Sequence, residues 1–131
     1  MNVALIANDA KKKLMQNFCI AYQGILGKHE LYATGTTGRL IEEVTNLSIH
    51  KNLAGMLGGE QQISAMVESN ELDLVIYLRE TQPYARHESS ISTLITLCDA
   101  RNIPLATNIA TAEVLILALD RGDLSWREMY K

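Results

Sequence analysis

Short apolar runs alternate along the chain with longer stretches in which apolar side chains return every three or four residues. "NVALIA" (2–7), "ELYAT" (30–34), "LDLVIYL" (72–78) and "IPLAT" (103–107) have the length and composition of strands, and a weaker strand candidate lies at "LSIHK" (47–51). Between them, "KKKLMQNFCIAYQGIL" (11–26) lines up Leu14, Phe18, Ala21 and Ile25 at helical spacing, and "RLIEEVT" (39–45) does so with Leu40, Ile41 and Val44. "EQQISAMVES" (60–69), "ISTLITLCDA" (91–100) and "ATAEVLILAL" (110–119) complete the helical set. Near-continuous apolar strands alternating with amphipathic helices predict an α/β fold, a parallel sheet covered on both faces. In such sheets ligands bind beyond the carboxyl ends of the strands, and the unusual loops of this chain all fall there.

Four loops carry candidate chemistry. After the first strand, "ANDAKKK" offers Asp9 as a helix cap with Lys12 one turn on, or else an acid and a cation aimed into the strand-end cleft. After the second, "TGTTG" sets Thr34, Gly35, Thr36, Thr37 and Gly38 at a helix start. One threonine suffices as a cap, so the surplus of hydroxyls and bare amides points to a bound phosphate. The third, "AGMLGGEQQ" (54–62), leads through three glycines to Glu60, a carboxylate with little steric cover in a helix first turn. The fourth, "YLRETQPYARHESS" (77–90), is a long polar stretch holding Arg79, Glu80, Arg86, His87 and Glu88. His29, His50 and Arg127 read as surface residues.

Composition narrows the field. The length of 131 residues suits one domain, 1–131, and no repeat, low-complexity tract or linker divides it. A net charge of -3 with interspersed signs provides no basic stripe for nucleic acid. Cys19 and Cys98 stand in apolar surroundings without further ligands at metal spacing, which predicts buried free thiols and no metal site. The N-terminal apolar run is too short to span a membrane and lacks the pattern of a signal peptide, so a cytoplasmic protein is expected.

Several separated stretches, in order, resemble the methylglyoxal synthase family: "ALIANDAKK" (4–12), "LYATGTTG" (31–38), "GGEQQISA" (58–65), the loop with His87, and "CDARNIPLATNIATAE" (98–113). The resemblance implies a three-layer α/β/α Rossmann-like domain, a homohexamer, and a cofactor-free lyase that turns dihydroxyacetone phosphate into methylglyoxal and inorganic phosphate through an enediolate. It implies Glu60 as the base and His87 as the group that polarises the substrate oxygens. Asp9 and Glu80 fall on family active-site acids. The phosphate ligands implied are Lys12, Thr34, Thr36, Thr37 and Gly55, with Asn8, Gly35 and Gly59 completing the binding set.

The chain also departs from the family pattern. Asn8 replaces a histidine and keeps a hydrogen bond but cannot titrate. Glu60 and Glu80 replace aspartates, Ser90 replaces an aspartate three residues after His87, and Met56 replaces a proline. The phosphate cradle is kept while the acid–base set is altered. Two readings follow: a divergent synthase in which the longer acids do the work, or a phosphate-binding regulatory module like the allosteric domains of this fold in carbamoyl phosphate synthetase.

Overall fold

Five parallel strands, β1 (Asn2–Ala7), β2 (Glu30–Thr34), β3 (Ile49–Asn52), β4 (Leu74–Leu78) and β5 (Leu105–Ala106), form one sheet in the order β3-β2-β1-β4-β5. They belong to a computed structural model that describes residues 1–52, 59–81 and 88–131, with the backbone alone at Asn52 and residues 88–90. The first two strands coincide with the apolar runs. β4 is shorter than its run: Asp73 precedes it, its backbone N–H donating to Asn2 O and its side chain accepting from Asn2 N–H, both at 2.8 Å. β5 is an edge strand of two residues, preceded by Pro104, which brings no N–H but whose carbonyl accepts from Val75 N–H at 3.0 Å.

Strands buried on both sides explain the continuous apolar runs. Val3, Leu5 and Ala7 of β1 and Leu74, Ile76 and Leu78 of β4 face α1 (Lys12–Ala21), α3 (Gly35–Val44) and α6 (Ile109–Arg121), where Met15, Phe18, Ile41 and Ile116 fill the core. Ala4, Ile6, Val75 and Tyr77 face the other way, against Ile63 and Val67 of α4 (Gly59–Glu68) and Leu94 and Cys98 of α5 (Glu88–Arg101). The sheet is therefore the middle of three layers. α2 (Gln23–Leu26) is a single turn after α1 that buries Leu26.

Chain order reverses between β1 and β4: β2 and β3 lie on one side of β1, while β4 and β5 lie on the other. This switch point leaves a crevice at the carboxyl edge of the sheet. The opposite edge is closed by the C-terminal segment, and here one expectation is corrected. Arg127, in the 3-10 helix Ser125–Tyr130, is not a surface residue but is only 3% exposed. Its guanidinium donates to Asp73 Oδ1 (3.2 Å), Leu72 O (3.0 Å), Asn70 Oδ1 (2.7 Å) and Asn102 O (2.7 Å). Asn70 and Asn102 follow α4 and α5 with φ of 57° and 54°, the left-handed turn that ends a helix, so one arginine ties both helix ends to β4.

Candidate functional site

At the switch point, described residues of all four loops come together. Beyond β1, Asn8 is 7% exposed and its backbone N–H donates to Leu78 O across the crevice at 3.1 Å. Its side-chain oxygen accepts from the backbone N–H of Glu80 at 2.7 Å, which leaves the amide nitrogen facing Tyr77 Oη at 3.3 Å. Tyr77 in turn donates to Glu60 Oε1 at 3.3 Å. Loops after β1 and β4 and the first turn of α4 are thus joined by one chain of hydrogen bonds.

Lys12 belongs to this site and not to a solvated lysine face. Its side chain is 17% exposed, and the ammonium donates to Ala7 O (2.9 Å) and Thr37 Oγ1 (3.1 Å), with Asp9 Oδ1 at 3.6 Å. A backbone carbonyl and a hydroxyl neutralise none of its charge, and Asp9 is almost wholly in solvent at 99% exposure. The cation therefore stays available to an anion at the start of α3.

The threonines lie beside this ammonium. Thr34 occupies the N-cap position of α3 with extended backbone, yet its side chain makes no capping bond to the helix amides; it donates to Thr37 Oγ1 at 3.4 Å instead. Thr37 is 1% exposed and Thr34 6%. The alternative reading of this loop, a threonine capping the helix, is met in position but not in hydrogen bonding. The first-turn amides of α3, beginning at Gly35 and Thr36, carry the positive end of the helix dipole next to Lys12. Asp9 likewise does not cap: Asn8 holds the N-cap position of a short 3-10 helix, Asp9–Lys11, and makes no side-chain cap bond.

Gly59 and Glu60 open α4, with Gly59 buried and Glu60 half-buried on the rim of a cleft of about 470 Å³ between α4 and α5. Glu80 stands just past β4, and its carboxylate accepts from Thr81 N–H at 2.8 Å. Gly55, Met56 and His87 lie outside the described residues, and Ser90 is described by its backbone alone.

Tyr77 is the site residue that hydrophobic patterning hides. Within "LVIYL" it scores as one more core side chain, and its ring is 1% exposed. A phenol in an otherwise aliphatic strand must still find partners for its hydroxyl, and that demand was the available signal. Burial first, and then the charge of Glu60, push this phenol up to about 12, so it stays protonated and able to donate.

The comparisons with known proteins agree with this geometry. A family model described as "MGS-like domain" matches residues 15–107. Methylglyoxal synthase of Caldicellulosiruptor saccharolyticus is 61% identical over 98% of this chain and 92% of its own length. That of Clostridioides difficile is 52% identical over 100% of this chain and 96% of its own. Among solved structures, methylglyoxal synthase from Elizabethkingia anophelis superposes with a TM-score of 0.82 at 36% identity, over 88% of this chain and 76% of that one. With a switch-point site of this build, a three-layer parallel fold and relatives this similar along almost its whole length, the chain belongs to the methylglyoxal synthase family.

Proposed function

We propose that this protein converts dihydroxyacetone phosphate into methylglyoxal and inorganic phosphate, with Glu60 as the base. The observation that carries the reading is a convergence at successive residues: Ala7 O holds Lys12 beside Thr37, and Asn8 leads through Tyr77 to Glu60. A cationic anion cradle and a carboxylate served by the same loop are what an enolisation followed by loss of phosphate requires.

In this mechanism Glu60 takes a proton from the hydroxymethyl carbon of the substrate. The electron pair released forms an enediolate, whose oxyanion is stabilised by His87, the role the family resemblance gives it. The hydroxyl proton of the enediolate then passes to its oxyanion, a carbonyl forms at the former hydroxymethyl carbon, the double bond shifts to the phosphate-bearing carbon, and the bond from that carbon to the phosphate oxygen breaks. Phosphate leaves into the cradle of Lys12, Thr34, Thr36, Thr37 and Gly35, with Gly55 and Gly59 added by the family resemblance, where donors offset its charge. The remaining enol gives up its hydroxyl proton, takes one at its methylene carbon and becomes methylglyoxal. Asp9 and Glu80 flank the crevice as further acids of the site.

Self-association into the hexamer implied by the family resemblance is part of the same proposal. Val114 and Leu117 of α6, 66% and 44% exposed, support an apolar contact there. Sedimentation of the purified chain tests it, and a monomer at micromolar concentration would remove it.

Incubation of the purified chain with dihydroxyacetone phosphate tests the reaction. Equimolar methylglyoxal and phosphate are expected. Tight binding of inorganic phosphate with no methylglyoxal would favour the regulatory-module reading instead.

A further inference from the structure

We propose that Tyr77 is a positioning residue for the reaction: its hydroxyl holds the Glu60 carboxylate in place and is itself aimed by Asn8. The inference rests on Glu60 being the base. It follows from the direction in which the hydrogen bonds must run. Asn8 Oδ1 is taken by the backbone N–H of Glu80 at 2.7 Å, so only the amide NH2 can face Tyr77, at 3.3 Å. With its oxygen accepting from Asn8, the single phenolic proton is left for Glu60 Oε1, also at 3.3 Å. Each bond fixes the sense of the next.

Tyr77 is suited to this work because little of it can move. The ring stands in the core between β4, α4 and α5 and is 1% exposed, so only the hydroxyl reaches the crevice. Glu60 is the mobile partner, half-buried and with one more rotatable bond than an aspartate. A rigid donor at the end of the longer side chain restores the fixed geometry that a shorter acid would have by its own length. The upward shift of the phenol's pKa supports the same role, since the proton stays on oxygen throughout the working pH range.

Kinetics of Tyr77→Phe, in the wild-type chain and in the Glu60→Asp background, test this. The substitution keeps the ring and removes one oxygen. In the wild-type background kcat for methylglyoxal release should fall roughly tenfold, with KM and inorganic phosphate affinity within about twofold, because a misplaced base slows chemistry without loosening the cradle. Against Glu60→Asp, whose carboxylate stops short of the phenol, the same substitution should change kcat by less than about twofold. An undiminished kcat for Tyr77→Phe, or an equal loss in both backgrounds, overturns the inference and leaves Glu60 as base untouched. Absence of methylglyoxal from the wild-type chain overturns the underlying reading and this inference with it. If Glu60→Asp has no measurable turnover, the kcat and KM of the single variant decide. Should Tyr77→Phe fold poorly, Asn8→Ala removes the orienting donor while keeping the phenol; a fall in kcat is expected, and unchanged kcat overturns the inference.

Discussion

Replacing Lys12 by methionine removes a charge while keeping most of the stem that threads between β1 and α3. The side chain is 17% exposed and its ammonium is held by Ala7 O and Thr37 Oγ1, with no buried carboxylate among the described residues to offset it. A phosphate seated against the first turn of α3 would gain a charge-assisted hydrogen bond from it, a contribution of about 1.5–3 kcal/mol. Coulomb attraction adds to this: at ~4 Å and an effective dielectric of about 20, each unit charge on the phosphate is worth about 4 kcal/mol before desolvation is subtracted. Taking about 3 kcal/mol as the net loss, inorganic phosphate should bind on the order of a hundredfold more weakly to Lys12→Met.

Stability should respond far less. Ala7 O and Thr37 Oγ1 each lose a donor, but burial of a charge is relieved, so the change stays within about 1 kcal/mol. Calorimetric titration with phosphate and urea unfolding read the two quantities separately. Affinity weakened less than threefold, or lost only in step with stability, would refute the placing of Lys12 in an anion cradle.

Three further outcomes follow from the clasp at the opposite edge and its pairing. Arg127→Met should lower stability by about 3 kcal/mol, the low end for breaking a buried pair, because Lys131 still contacts Asp73 at 2.7 Å. Urea unfolding should show a lower midpoint at unchanged slope, and a shift below about 0.5 kcal/mol would contradict the burial argument. The same variant should keep the wild-type kcat below its unfolding transition, since the clasp lies across the sheet from the crevice; a large loss of kcat would couple the two edges. Asp73 also sets an acid limit: burial opposes its ionisation, but bonds from Lys131, Asn2 N–H and Arg127 outweigh it and hold the carboxyl below its usual range. A depressed folded value adds stability above the unfolded pKa of about 3.9, lost as pH falls through the folded one. Asp73→Asn should therefore show a shallower loss of stability below about pH 5, and parallel curves would rule that contribution out.

The sheet was legible in the chain because its strands are buried on both faces, which writes them as unbroken apolar runs such as "NVALIA" and "ELYAT". Helix starts were harder. α3 begins at Gly35, five residues before Leu40 opens its apolar periodicity, so its start was legible from the glycine–threonine loop and not from hydrophobic spacing. The same holds at the other end of the chain, where "SWREMYK" shows no periodicity yet places a buried arginine on two helix ends. Arg127 was unreadable locally because its partners lie 25 to 57 residues away. In the crevice, Lys12, Thr34 and Thr37 stood out in loops that follow apolar runs, Glu60 by its glycine approach, and Asn8 only through the family resemblance. Tyr77 did not, since it contributes to the core and the crevice at once.

Glu60→Gln bears most directly on the proposed chemistry. It removes the proton acceptor and preserves shape, since the amide has the size of the carboxylate it replaces. Methylglyoxal release from dihydroxyacetone phosphate and binding of inorganic phosphate should be measured on the same preparations of wild-type and variant protein. Turnover lost with phosphate affinity nearly intact is the result expected of Glu60 as base; turnover undiminished in Glu60→Gln contradicts it.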